Sequence, residues 1–360
     1  MAKKGNKINF LKELNWLKKE IDKRLQIFLE RKIREMKKIS PLVVRMTQDI
    51  KNFVLIGGKR IRPILFYYGY LTAGGRNKKS ILDASLSIEL IHDYLLIHDD
   101  IIDRDELRRG RPTIHKRYQK FYQKISIDYE HLGISAGIII GNLASAFGYE
   151  ILTESNFPDS FKTKALKKLS QIIIGVQAGE ILDVFLRLDH PLKEKEIFKI
   201  IKYKTTGYSI EGPLQLGAIL AGANQKALKD LSNFALPLGN AFQIQDDILG
   251  MFGDPGETGK PVGGDLREGK QTLLISKAKE LANKKEKKII ERTLGNPRLT
   301  KNQLKKVRKI IVKTGALDFC QKTVTKLINQ AKQKMENSKS PPKIKNFLIL
   351  LVDSIIEKEK

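Results

Sequence analysis

The sequence predicts an all-α protein, and three observations carry that expectation. Apolar residues recur at steps of three or four over several long segments, the spacing of one helix face. Sustained alternation of apolar and polar residues, which would mark half-buried strands, is nowhere evident. Gly and Pro clusters fall between the periodic segments, at Gly57-Gly58, Gly74-Gly75, Gly110 to Pro112, Asp254 to Gly264, Gly295 to Pro297 and Pro341-Pro342.

In chain order, the first helix is expected on Ile8, Leu11, Leu14, Leu17, Ile21, Leu25 and Phe28. Similar patterns predict helices over 81–102, 161–186, 197–219 and 234–249. The uncharged stretch Leu132 to Tyr149 is eighteen residues long, which touches the lower limit for a membrane span. It carries Gly133, Gly137, Gly141 and Ser145 at steps of four. Small residues on one stripe let two backbones approach closely, so the segment reads as a buried helix of a soluble protein. No repeat of fixed period and no low-complexity linker divides the chain, so residues 1–360 are read as one large helical domain.

The chain has 360 residues, 41% of them hydrophobic, enough to fill a core, and a formal net charge of +27. Such a charge first suggests nucleic acid or an anionic membrane as partner. Its distribution argues otherwise: residues 1–40 carry a net +8 and 271–360 a net +15, leaving +4 for 41–270. The surplus belongs to the two basic ends. A single cysteine, Cys320, excludes an intramolecular disulfide framework and a cysteine zinc cluster. The first residues lack the apolar run of a secretory signal, and a cytoplasmic location is expected.

The densest chemistry lies in LIHDYLLIHDDIIDRDELRRGRPTIH. Asp99, Asp100 and Asp103 close a strongly apolar helix, with Asp99 and Asp103 one turn apart on one face. Like charges there repel and oppose the helix dipole. A hard divalent cation removes the penalty, and oxygen ligands suit magnesium. A second pair, Asp246-Asp247, ends another apolar helix, and two such pairs could line one bundle cavity. Cations accompany them: Lys59, Arg60 and Arg62 in GGKRIRP, Arg108, Arg109 and Arg111, then Lys204, Lys260 and Lys270. Arg forks and Lys point charges suit phosphate, so the combination describes a site for magnesium diphosphates. A P-loop signature is absent from the sequence.

With five ordered motifs, GGKRIRP, HDDIIDRDELRRG, KTTGYSIEGPLQLGA, FQIQDDILG and GKPVGGDLREGKQTLL, the chain resembles trans-isoprenyl diphosphate synthases of the polyprenyl synthetase family. The match covers about residues 40–275. The resemblance implies long helices around a central cavity, usually in a homodimer. It implies that Asp99 and Asp103 ligate magnesium, with Asp100 nearby, and that Asp246 and Asp247 hold a further ion, about three per site in all. By the same resemblance Lys59, Arg62, His92 and Arg109 bind isopentenyl diphosphate. Arg108, Lys204, Thr205, Gln243, Lys260 and Lys270 contact an allylic diphosphate. Two departures stand out: Gly250 replaces the usual fifth-position Asp of the second motif, and a usual Gly-Gln pair reads Gly179-Glu180, with Asp183 retained.

The expected activity is condensation of an allylic diphosphate with isopentenyl diphosphate. Tyr94 lies about 7.5 Å before Asp99 along a helix, where a ring would floor the growing tail. That aromatic resembles the archaeal-type geranylgeranyl diphosphate synthases, so twenty carbons are expected and fifteen are the alternative. A class I terpene cyclase is disfavoured because its second motif normally carries Asn, Ser or Thr and Glu. A nucleic-acid binder is disfavoured by the near-neutral middle, whereas weak docking of the basic ends to anionic membrane stays open.

Overall fold

The structure is a computed structural model that describes residues 2–253 and 262–357. Helices form where the apolar periodicity places them, and the chain divides into two compact units. One comprises Met1–Lys167 with Leu216–Ala223; the other comprises Lys168–Gln215 and Asn224–Lys360.

The first unit begins with α1 (Ala2–Met36), a 35-residue helix. Its inner face buries Phe10, Leu14, Leu17, Ile21, Leu25 and Leu29. Ile8 and Leu11, expected on that stripe, are exposed and Phe10 is turned inward instead. Helix α2 (Pro41–Leu55) starts with Ser40 accepting from Leu42 N–H and with Pro at the first position, the arrangement that satisfies a helix start. Helix α3 (Ile61–Thr72) is buried along most of its length. Helix α4 (Lys78–Ile102) is capped by Asn77 and packs against α1, α3 and α6.

Helix α6 (Tyr129–Thr153) packs on α4 and on α5 (Ile114–Tyr122). The small-residue stripe explains the approach. A Cβ on Gly133 would lie 2.6 Å from the His115 carbonyl oxygen, and one on Gly141 would strike His98 at 2.5 Å. By length and composition two helices, 129–153 and 159–189, could cross a membrane, and 44% of the most apolar window of the first is buried. That burial, with the glycine contacts, makes α6 a core helix here. Between α4 and α5 a two-residue ribbon, β1 (Leu107–Arg108) with β2 (Arg111–Pro112), turns through Arg109 and Gly110, both at positive φ. This is the hairpin turn in which Gly is favoured at the second corner, and it is a small departure from a purely helical chain.

In the second unit α7 (Asp159–Ile181), which starts in the first, runs into a π-helical turn, Leu182–Leu186. The expected helix over 197–219 is present as α9 (Glu194–Ile200), an eleven-residue π-helical segment (Ile201–Glu211) and α10 (Gly212–Leu220), which from Leu216 belongs to the first unit. α8 is the single turn Arg187–Asp189. Helix α11 (Gln225–Phe252) packs on the π segment and on the later helix Ala316–Glu336. A Cβ on Gly239 would lie 2.4 Å from Thr206, so glycine brings α11 hard against the π segment.

Candidate active site

In the first unit, α4 delivers the acidic residues and the hairpin delivers the cations. Asp99 and Asp100 occupy the last turn of α4, and Asp103 closes it, its N–H donating to the Asp99 carbonyl at 2.8 Å. Two residues of ribbon return Arg108 onto this end. Its Nε donates to Asp100 Oδ1 at 2.6 Å, and its Nη2 lies 3.4 Å from Asp99 Oδ2. Asp100 is buried and its Oδ2 has no hydrogen-bond partner. Burial pushes its carboxyl up to about 7, against the opposing charge of Arg108. Asp99 and Asp103 therefore remain the half-exposed pair, and Asp100 anchors the guanidinium.

The GGKRIRP loop lies beside the same ribbon. Arg109 donates to the Gly57 carbonyl, and a Cβ on Gly58 would sit 3.4 Å from Arg109 Nη2. Lys59 is exposed and Arg62 half-buried. His92, half-buried on α4, is held well below the usual imidazole range by burial and then by Arg62 and Arg109, which leaves it neutral. The expected isopentenyl diphosphate set is thus brought together around Arg62 and Arg109.

Arg60, the third cation of that motif, behaves otherwise. It sits at φ 53 with a fully buried guanidinium, donating to Asp22 at 2.7 Å, Glu89 at 2.5 Å and the Val54 carbonyl at 2.6 Å. It therefore ties α1, α2 and α4 to the start of α3, and its charge is spent on structure. Beside it Asp93 is fully buried with neither carboxylate oxygen hydrogen-bonded. Burial, then the Glu89 charge, push Asp93 up to about 8, with Arg60 and Arg109 opposing. The sequence groups Arg60 with the phosphate-binding cations, which the structure corrects, and gives no signal for Asp93.

Tyr94 lies on α4 with its ring 4.7 Å from that of His98, edge to face. Gly141 leaves the room His98 needs.

The second unit carries its own set of the expected residues, on and around the π segment and α11. Lys204 Nζ is 2.6 Å from Asp183 Oδ2 and 3.0 Å from Glu180 Oε2. This gives the Gly179-Glu180 departure a physical account: a Cβ on residue 179 would lie 2.3 Å from the Lys204 backbone nitrogen, and Glu180 adds a second carboxylate to the lysine. Thr205 Oγ1 donates to Gln243 Oε1 at 2.6 Å, and Gln243 Nε2 donates to Asp247 Oδ1 at 2.8 Å. Asp246 is exposed, whereas Asp247 is buried and held well above the carboxylate range by burial and then by Asp265. Lys270, half-buried, pairs with Glu268 at 2.5 Å. Lys260, expected to contact the allylic diphosphate, lies outside the described residues, as does Asp254.

Asp265 is the acidic residue the sequence reading overlooked. A Cβ on Gly250 would lie 3.2 Å from Asp265 Oδ2. A carboxylate from the Gly-Gly-Asp turn therefore stands where the departed fifth-position side chain would begin.

The donor set fits a hard divalent cation. Every expected ligand is a carboxylate, and Asp247 carries excess negative surroundings from Asp265, Asp246 and Asp183 that such an ion would neutralise. Among the described residues no three His, Cys, Asp or Glu side chains already converge as a cation site.

Comparison with known proteins places these residues in context. The model of the polyprenyl synthetase family matches residues 44–311. The geranylgeranyl diphosphate synthase of Sulfolobus acidocaldarius is 34% identical over 315 residues, 86% of this chain and 91% of that one. The geranylfarnesyl diphosphate synthase of Aeropyrum pernix is 32% identical over 321 residues, covering 88% and 95%. Among solved structures, geranylgeranyl pyrophosphate synthase from Corynebacterium glutamicum, complexed with isoprenyl diphosphate and magnesium, superposes with a TM-score of 0.91. It is 30% identical, over 96% of this chain and 99% of that one.

Proposed function

The chain belongs to the polyprenyl synthetase family, and we propose that it condenses isopentenyl diphosphate with an allylic diphosphate, releasing diphosphate and making geranylgeranyl diphosphate. It is a short-chain prenyltransferase. The observation that carries the reading is the end of α4, where Arg108 is folded back onto Asp99 and Asp100 beside the Arg109-clasped GGKR loop.

Lys59, Arg62 and Arg109 hold the diphosphate of isopentenyl diphosphate through charge-assisted bonds. Neutral His92 adds a hydrogen bond without a charge of its own. Arg108, Lys204, Thr205, Gln243, Lys260 and Lys270 receive the allylic diphosphate. Asp99, Asp103, Asp246 and Asp247 would hold about three magnesium ions, which would supply Lewis-acid neutralisation of the diphosphates. As the allylic carbon–oxygen bond breaks, Arg108, Lys204 and Lys270 stabilise the negative charge growing on the departing group. The double bond of isopentenyl diphosphate attacks the allylic carbon, and the released diphosphate takes the proton lost on elimination. No side-chain nucleophile is required.

The same proposal treats residues 1–360 as one catalytic domain, supported by the span of the family model. It includes a cytoplasmic location and a homodimer. Support for the dimer comes from α7 and the turns after it, where the large apolar side chains Ile174, Ile181, Phe185 and Leu188 are all exposed, the kind of surface that seeks a partner.

The test is incorporation of radiolabelled isopentenyl diphosphate with dimethylallyl diphosphate, with products resolved by chain length. Twenty-carbon product is expected, with Asp99→Ala and Asp246→Ala each losing at least about 100-fold in turnover. Near-normal turnover in both variants would overturn the mechanism.

A further inference from the structure

We infer that the outer face of α1 is a docking surface for an anionic lipid bilayer. The face is a single stripe. Ile8, Lys12, Trp16, Lys19, Lys23 and Ile27 follow one another at steps of four, four, three, four and four, so all six project from one side of the helix. Their side chains are exposed, Ile8 at 49%, Trp16 at 48% and Ile27 at 56%. At a rise of about 1.5 Å per residue the stripe is about 28 Å long.

The charge along this stripe is of one sign because the acidic residues of α1 near it lie beside it and are each engaged by a neighbour. Glu13 accepts from the Tyr68 hydroxyl at 2.8 Å, Glu20 pairs with Arg24 at 3.5 Å, and Asp22 accepts from buried Arg60 at 2.7 Å. Glu20, one turn beyond Trp16, borders the stripe, and Arg24 is the cation that faces it. A plain solvated face would carry both signs and no large apolar groups. A nucleic-acid surface would explain the lysines but leave Trp16, Ile8 and Ile27 without a role. A helix lying in the headgroup layer uses all six. Lysine ammoniums meet the anionic headgroups while their stems lie along apolar surface. Tryptophan favours that layer because one edge is apolar and the other donates. Flanking isoleucines enter the acyl boundary. This docking depends on the surface of α1 alone and stands whether or not the proposed reaction is correct.

Trp16 is the only tryptophan in the chain, so the intact protein reports on its own docking. The full chain is mixed with large unilamellar vesicles of phosphatidylglycerol and phosphatidylcholine at 3:7, and separately with pure phosphatidylcholine. Cosedimentation and a blue shift of Trp16 emission are expected with the first, little of either with the second, and loss of both as salt is raised. The triple variant Lys12→Glu, Lys19→Glu, Lys23→Glu should cosediment at least about tenfold less, with unchanged helical content and unchanged isopentenyl diphosphate incorporation. Ile27→Ser should keep salt-sensitive cosedimentation and weaken it. The inference is overturned by an absent blue shift, by equal binding to pure phosphatidylcholine, or by full binding of the triple variant. A duplex DNA fragment that produces the same Trp16 shift would overturn it in favour of a nucleic-acid surface.

Discussion

Arg108 donates to Asp100 at 2.6 Å, while Asp99, one residue earlier, is 3.4 Å from the same guanidinium. Asp100 is almost fully withdrawn from water and Arg108 nearly so, with side-chain exposures of 1% and 12%. Removing one member of such a pair leaves an uncompensated buried charge, a cost of about 3–5 kcal/mol. Arg108→Gln should therefore lose about 3 kcal/mol of stability in denaturant titration and most of its turnover. Asp100→Asn keeps an acceptor for the guanidinium and should lose about 1 kcal/mol. Equal destabilisation by both variants would contradict the anchoring role given to Asp100.

The buried Asp93 makes stability depend on pH in a direction that can be worked out. Its carboxyl titrates near 3.8 in the unfolded chain and is pushed up to about 8 in the folded protein by burial and then Glu89. Between those values the folded state binds the extra proton, so the stability it contributes is fully present below 3.8. That contribution is lost as pH rises towards 8. Asp93→Asn removes this slope. The variant should match wild type near pH 4 and exceed it increasingly up to pH 8, by about 1.4 kcal/mol per unit at most. Denaturant midpoints measured from pH 5 to 9 check the sign; parallel curves would refute it.

The long helices were legible because their apolar spacing is a direct consequence of helix geometry, and Leu17, Ile21 and Leu25 are buried as the pattern requires. Phase was less legible. Ile8 and Leu11 satisfy the spacing yet face outward, since Phe10 offers a larger group to bury at the same end. The two π-helical stretches escaped notice because one extra residue per turn shifts side-chain directions without spoiling apolar spacing over a short window. Those stretches carry Asp183 and Lys204, so the blind spot fell on the site. Arg60 and Arg62 look alike in GGKRIRP, and only the left-handed backbone at Arg60 turns one inward.

Asp265 is expected to do the work that Gly250 cannot. A Cβ at position 250 would lie 3.2 Å from its carboxylate, and the buried Asp247 already feels its charge. Asp265→Ala should lower turnover at least about tenfold and raise the magnesium concentration needed for half-maximal rate. Gly250→Asp in the Asp265→Ala background should recover part of that loss, because the carboxylate returns to the same place from the helix side. Wild-type magnesium dependence in Asp265→Ala would remove the residue from the site.

The exposed seam on α7 predicts an assembly that one charge can break. Phe185 is 59% exposed, and Ile174, Ile181 and Leu188 on the same stretch are exposed as well. Phe185→Asp should convert the expected dimer into monomer in light scattering at micromolar concentration, since a buried unpaired carboxylate at an interface is strongly unfavourable. A wild-type chain that is already monomeric would dismiss the seam as an interface.

Tyr94 is the residue to ask about product length. Its ring stands edge to face with His98 at 4.7 Å on α4, five residues before Asp99. Lying about 7.5 Å back along the axis from Asp99, it would meet a tail that grows down α4 from the diphosphate. Tyr94→Ala removes the ring and leaves a void that the helix backbone cannot close. Products should then shift beyond twenty carbons, with turnover for the first condensation unchanged, as expected of a residue that meets the tail and not the phosphates. His98→Ala should lengthen products less, since that ring is packed sideways against α6, where a Cβ on Gly141 would lie 2.5 Å from it. If both variants release the wild-type product, another residue forms the floor.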